Sequence, residues 1–91
     1  SFNGVQIVDV RPKPVADAFP LAGSINIPFP TLRSNLDKLD RRHPVITVCA
    51  FGKMSYFAAR ILAQNGFQVQ SYSGGIKGNL DPRSPAKLPT A

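Results

Sequence analysis

The sequence predicts an α/β fold, a small, open, mainly parallel β-sheet with helices on both faces. Three observations carry this. Two short β-branched runs, Val5–Val10 and Val45–Val48, read as buried strands. They alternate with stretches of helical spacing, and the connections are too long for hairpins. The chain has 91 residues and is 43% apolar, which suits one modest core.

The elements follow in order. Val5–Val10 forms the first strand, which Asp9 and Arg11 interrupt or end and Pro12 and Pro14 prevent from pairing further. Residues 15–23 read as irregular, with at most one helical turn. Ser24-Ile25-Asn26-Ile27 alternates and reads as a short strand stopped by Pro28 and Pro30. A helix is expected from Thr31, with Leu32, Leu36 and Leu39 at i, i+4 and i+7. Val45–Val48 is the second buried strand. Ser55–Asn65 is the best helix, with an apolar stripe of Phe57, Ala58, Ile61 and Leu62 and with Gly66 placed to end it. Gln68–Tyr72 reads as a last strand and Ser73-Gly74-Gly75 as a tight turn. The division expected is a domain over 1–78 and a flexible tail over 79–91, where Pro, Ser and Lys are concentrated.

Composition narrows the function classes. A single cysteine forms no internal disulfide, so nothing points to an oxidising compartment and a cytoplasmic location is expected. No apolar stretch is long enough to span a bilayer, no signal peptide is visible, and no membrane partner is expected. The net charge of +6 comes from scattered lysines and arginines without interleaved aromatics. That argues against nucleic acid and for attraction of small anions, with most of these residues forming a solvated face. No metal site is expected. The chain has no initiator Met and enters its first strand almost at once, so it reads as a piece of a longer protein.

The single cysteine carries the chemistry. Cys49 stands where the strand Val45–Val48 gives way to a helix, followed by Ala50-Phe51-Gly52-Lys53-Met54-Ser55. Such a turn aims backbone N–H groups and the positive end of the helix at one point. A thiol there is expected to ionise below its ordinary value of about 8.5. Residues 50–55 are expected to curl into a nest of N–H donors, with Gly52 supplying a positive φ. Lys53 is either a cation beside a bound anion or an exposed lysine. Ser55 is read as a helix N-cap, with donation to a sulfur as the alternative. Asp9 and Arg11 end the first strand as Cys49 ends the second. The three can therefore meet at the carboxyl end of the sheet, the pair bracing the loop. Tyr56 and Phe51 are read as packing residues rather than entrance residues, and His43 as a surface residue.

These residues resemble a rhodanese-like sulfurtransferase domain over about residues 5–78. The elements are Asp9-Val10-Arg11, Ala22-Gly23-Ser24-Ile25-Asn26-Ile27-Pro28, Cys49 with Gly52 and Ser55, and Ser73-Gly74-Gly75, in that order. Tyr56–Lys77, with Ala58-Ala59-Arg60-Ile61-Leu62 and Gln64-Asn65-Gly66-Phe67, is most similar to the rhodanese domain fused C-terminally to FAD-dependent CoA-disulfide reductases. The resemblance implies a persulfide on Cys49, formed from thiosulfate, a persulfide or a polysulfide and passed to a thiol acceptor. It implies a fused reductase as partner, with FAD, NAD(P)H and CoA belonging to that parent and no cofactor in this domain. The chain departs from the pattern in four places. Phe19-Pro20 replaces a Gly-His pair, and Lys53 is the only loop cation where arginines are usual. No Trp follows the Gly-Gly turn, and the family's first strand and helix are not found before Asn3. The missing arginines weaken the expectation of efficient thiosulfate use.

Two rival functions have physical content. Cysteine phosphatases and arsenate reductases place an Arg six residues after the cysteine, and here that residue is Ser55. A non-enzymatic regulatory or docking module of the same fold fits the reduced loop charge but not the retained Cys49.

Overall fold

A computed structural model describes residues 4–50 and 52–72. Its elements are β1 (Gln6–Asp9), α1 (Lys13–Ala18), β2 (Ser24–Asn26), a 3-10 segment (Phe29–Lys38), β3 (Val45–Val48), α2 (Lys53–Gln64) and β4 (Val69–Ser71). The strands form one sheet in the order β2-β1-β3-β4, and all three pairings are parallel. The expected turn at Ser73-Gly74-Gly75, the tail over 79–91 and Phe51 lie outside the described residues.

The two central strands are buried along their whole length, so they carry β-branched residues on both faces. On one face Val8, Val10 and Val45 pack with Leu32 and Leu39 of the 3-10 region and with Ala58, Ile61 and Leu62 of α2. On the other Val5, Ile7, Ile46, Val48 and Tyr72 cluster, with Leu21 against them. The chain steps from β1 to β2 in one direction, then passes back over β1 to β3 and β4. Right-handed crossovers running in opposite directions put α1 on the face opposite α2. The order therefore reverses between β1 and β3, and a crevice at their carboxyl ends is where α/β sheets place ligands.

α2 differs from the expected helix at its start and along its stripe. It begins at Lys53, with Gly52 as its N-cap at φ 86°, so Ser55 lies inside the first turn rather than capping it. The buried stripe is Ser55, Ala58, Ile61 and Leu62, and Phe57 is 43% exposed. Positions 55, 58 and 62 follow the 3.6-residue period, and 57 falls off that line. The other end of α2 is as expected. Gly66, at φ 88°, donates its N–H to the Ala63 carbonyl at 3.2 Å, and Phe67 donates to Leu62 at 3.1 Å, the paired bonds of a Schellman stop.

The second difference is the 29–38 segment. It is 3-10 rather than α-helical, and it kinks at Asn35, where φ is −127°. Pro28 and Pro30 set its entry, and the Asn35 side chain donates to the Thr31 carbonyl at 2.8 Å, competing with regular helix bonding. Leu32 and Leu39 are still buried and Leu36 half-buried, so the apolar spacing survives the change of helix type. α1 supplies more helix than the sequence promised. Pro12 caps it and Pro14 sits in its first turn, where a missing N–H costs nothing.

Candidate functional site

Cys49 follows the last residue of β3 and is 5% exposed. Its Sγ accepts the Gly52 N–H at 3.0 Å and the Ser55 N–H at 3.2 Å. The first bond depends on Gly52 being left-handed, which turns the backbone back toward the sulfur before α2 begins. The second comes from the first turn of α2, whose N–H groups lack partners within the helix. These donors and the helix N-terminus favour the thiolate, while burial of the sulfur acts the other way. The Ser55 hydroxyl donates to the Gly52 carbonyl at 2.9 Å.

The expected ion pair is present. Arg11 Nε donates to both carboxylate oxygens of Asp9, at 2.9 and 3.0 Å, and Nη2 donates to Oδ2 at 2.7 Å. Nη2 also donates to the Phe19 carbonyl at 2.7 Å, which ties the end of α1 to the end of β1. Asn26, read from the sequence only as a strand and motif residue, donates through Nδ2 to the carbonyls of Asp9 and Arg11 at 2.9 and 3.0 Å. Nε and Nη2 of the guanidinium are thus occupied from within the chain, and the geometry is that of a brace.

A cleft of about 340 Å³ opens over the sulfur, lined by Val10, Arg11, Pro12, Cys49, Ala50, Lys53 and Met54. It lies between the carboxyl ends of β1 and β3, at the switch in strand order. Lys53 and Met54 belong to α2 rather than to the loop, and both are exposed at its rim. Tyr56 and Phe57 do not line this cleft. They meet edge to face with ring centres 5.5 Å apart, half-exposed along α2. His43 is on the surface, as expected, at the opposite end of β3. Val10 and Pro12 were read from the sequence as strand and strand-ending residues, not as lining of the site. Their signal was their place beside Arg11 at the end of β1.

The fold and the cleft define a small α/β domain that presents one cysteine at a strand-to-helix turn, on the switch point of a parallel sheet. The chain belongs to the rhodanese-like domain family, whose model matches residues 2–80. It is 32% identical over 79 residues to the adenylyltransferase and sulfurtransferase UBA4 of Meyerozyma guilliermondii, a match covering 77% of this chain and 19% of that protein. It superposes on the reduced Bacillus anthracis CoADR-RHD with a TM-score of 0.77 and 35% identity, covering 82% of this chain and 14% of that one. A NAD-dependent persulfide reductase from A. fulgidus gives a TM-score of 0.74 at 32% identity, covering 88% of this chain and 15% of that one. The chain thus spans less than a fifth of each of these three proteins and is related to sulfurtransferase and persulfide reductase domains.

Proposed function

We propose that this domain carries sulfane sulfur on Cys49 and passes it to a thiol or another nucleophilic acceptor. The observation that carries the reading is the convergence of the Gly52 and Ser55 N–H groups on Sγ at the start of α2. In the first step the Cys49 thiolate attacks the outer sulfur of a donor. A bond forms between Sγ and that sulfur, the donor's S–S bond breaks, and its electron pair leaves with the donor remnant, a thiolate or sulfite. In the second step an acceptor thiolate attacks the outer sulfur and Cys49 departs as a thiolate again, so the domain is unchanged after a cycle.

The lining speaks to the donor. Val10, Pro12, Ala50 and Met54 make the cleft largely apolar, Arg11 is engaged by Asp9, and Lys53 stands at the rim. A donor with a carbon body and a terminal persulfide fits this surface better than thiosulfate, whose several oxygens ask for more cations. Likeness to larger reductases supports a parent in which such a domain is tethered to a reductase.

Intact-protein mass spectrometry tests the reading. Incubation with a thiol persulfide should add the mass of one sulfur atom, a reducing thiol should remove it, and Cys49→Ser should abolish the gain. Absence of any adduct with persulfide and thiosulfate donors, in folded protein, would leave the non-enzymatic docking module as the reading that stands.

A further inference from the structure

The Gly52 and Ser55 N–H groups, which face the sulfur, are held by different means. Gly52 directs its own through its left-handed backbone. Ser55 lies in the first turn of α2, so its N–H meets the sulfur only if that turn keeps its place relative to β3. Thr47 supplies a link between the two. It lies two residues before Cys49 on β3, is fully buried, and donates its Oγ1–H to the Ser55 carbonyl at 2.7 Å. Its backbone is fixed on both sides, in register with Val8 on β1 and Ser71 on β4, and its carbonyl accepts the Tyr72 N–H at 2.8 Å.

A side chain chosen for packing alone at this position would be valine, as at Val45 and Val48 on the same strand. A buried hydroxyl needs an acceptor, and this one takes its acceptor from the residue whose N–H reaches the sulfur. We propose that Thr47 is a positioning residue. Its hydroxyl anchors the first turn of α2 to β3 and so holds the Ser55 N–H on the Cys49 thiolate. The proposal rests on the reading of Cys49 as the reactive sulfur.

Two variants separate positioning from packing. Thr47→Val keeps the volume and loses the hydroxyl, and Thr47→Ser keeps the hydroxyl and loses a methyl. If Thr47 positions the helix turn, Thr47→Val raises the apparent pKa of Cys49 alkylation by about half a unit or more, and Thr47→Ser stays near wild type. Sulfur uptake by Thr47→Val then falls about threefold below the thiol pKa, the loss of thiolate that half a unit implies. It recovers at alkaline pH, where ionisation is complete. A packing role gives the opposite order, with Thr47→Val unchanged and Thr47→Ser impaired at every pH, and that result overturns the proposal. In the wild-type protein the Thr47 hydroxyl proton should exchange slowly by NMR and shift as Cys49 titrates. A fast-exchanging hydroxyl overturns the proposal even if Thr47→Val does not fold. The alkylation readout needs no sulfur donor, so a wild-type domain that takes up no sulfur counts against the carrier reading alone.

Discussion

Asp9-Val10-Arg11 and Asp40-Arg41-Arg42 build the same ion pair at opposite ends of the sheet. In each the Arg backbone N–H donates to Asp Oδ1, at 3.0 and 2.8 Å, and the guanidinium grips both oxygens through Nε and Nη2. Their surroundings differ. Arg11 and Asp9 are 5% and 1% exposed, and Arg42 and Asp40 are 85% and 35% exposed. Only the buried pair lies at the thiol end, where it joins β1, α1 and, through Asn26, β2. The comparison teaches that hydrogen-bond geometry alone does not set what an ion pair is worth. Solvent screens the outer pair, whereas breaking the inner one strands a charge in the interior.

The largest effect should come from breaking the inner pair. Arg11→Met, which leaves the Asp9 carboxylate buried and unpaired, should lower unfolding free energy by about 3–5 kcal/mol. Arg42→Met should leave the urea midpoint near wild type. Equal shifts in the two variants would end the comparison.

The next test contrasts the two ends of α2. Gly52 and Gly66 hold nearly the same left-handed φ, 86° and 88°. Alanine at either should cost about 1–2 kcal/mol in backbone strain. Only Gly52→Ala should also raise the pH at which Cys49 is alkylated, since only its N–H meets the sulfur. A similar shift from Gly66→Ala would mean that the cradle responds to helix stability rather than to local direction.

A smaller effect is expected from the cleft's rim. Lys53→Ala should reduce kcat/KM for anionic persulfide donors roughly two- to fivefold, the scale of one exposed charge. The loss should shrink as salt is raised from low to physiological strength. A loss unchanged by salt would assign Lys53 a packing role.

The smallest effect belongs to the outer pair and its pH dependence. Hydrogen bonds from Arg42 hold the Asp40 carboxyl down to about 2. Because the folded value lies below the unfolded one of about 3.9, the pair's contribution is present above pH ~4 and is lost as pH falls toward 2. The stability difference between wild type and Asp40→Asn should therefore close over that window. A difference that persists at pH 2 would assign Asp40 a role that does not depend on its charge.

Much of the site was legible because it is local in sequence. The run Val45–Val48, one cysteine, a glycine and a helical stripe describe a strand, a turn and a helix within twenty residues. The meeting of Asp9, Arg11 and Cys49 followed from one further idea, that parallel strands end together. What escaped was decided by finer balances. Phe57 reads as core by hydrophobicity, but with α2 starting at Lys53 the buried line runs through the small Ser55 instead. The leucines at 32, 36 and 39 fit an α-helix, while Pro28, Pro30 and the Asn35 side chain tip the backbone to 3-10. Thr47 gave no signal, since a threonine in a strand looks like any β-branched residue until its hydroxyl's partner is seen.

The cleft over Cys49 has a consequence for how sulfur changes hands. It opens onto the sulfur, and a donor and an acceptor that both enter by it would use it in turn. On the proposed function the persulfide would wait between the two visits in a largely apolar recess, and its fate would depend on which thiol arrived first. For a domain joined by a linker to a second one, a tethered thiol is present at millimolar effective concentration, well above a competitor at micromolar levels. In such a chain the choice of acceptor would be made less by the shape of the recess than by the length of the tether and the dwell time of the sulfur.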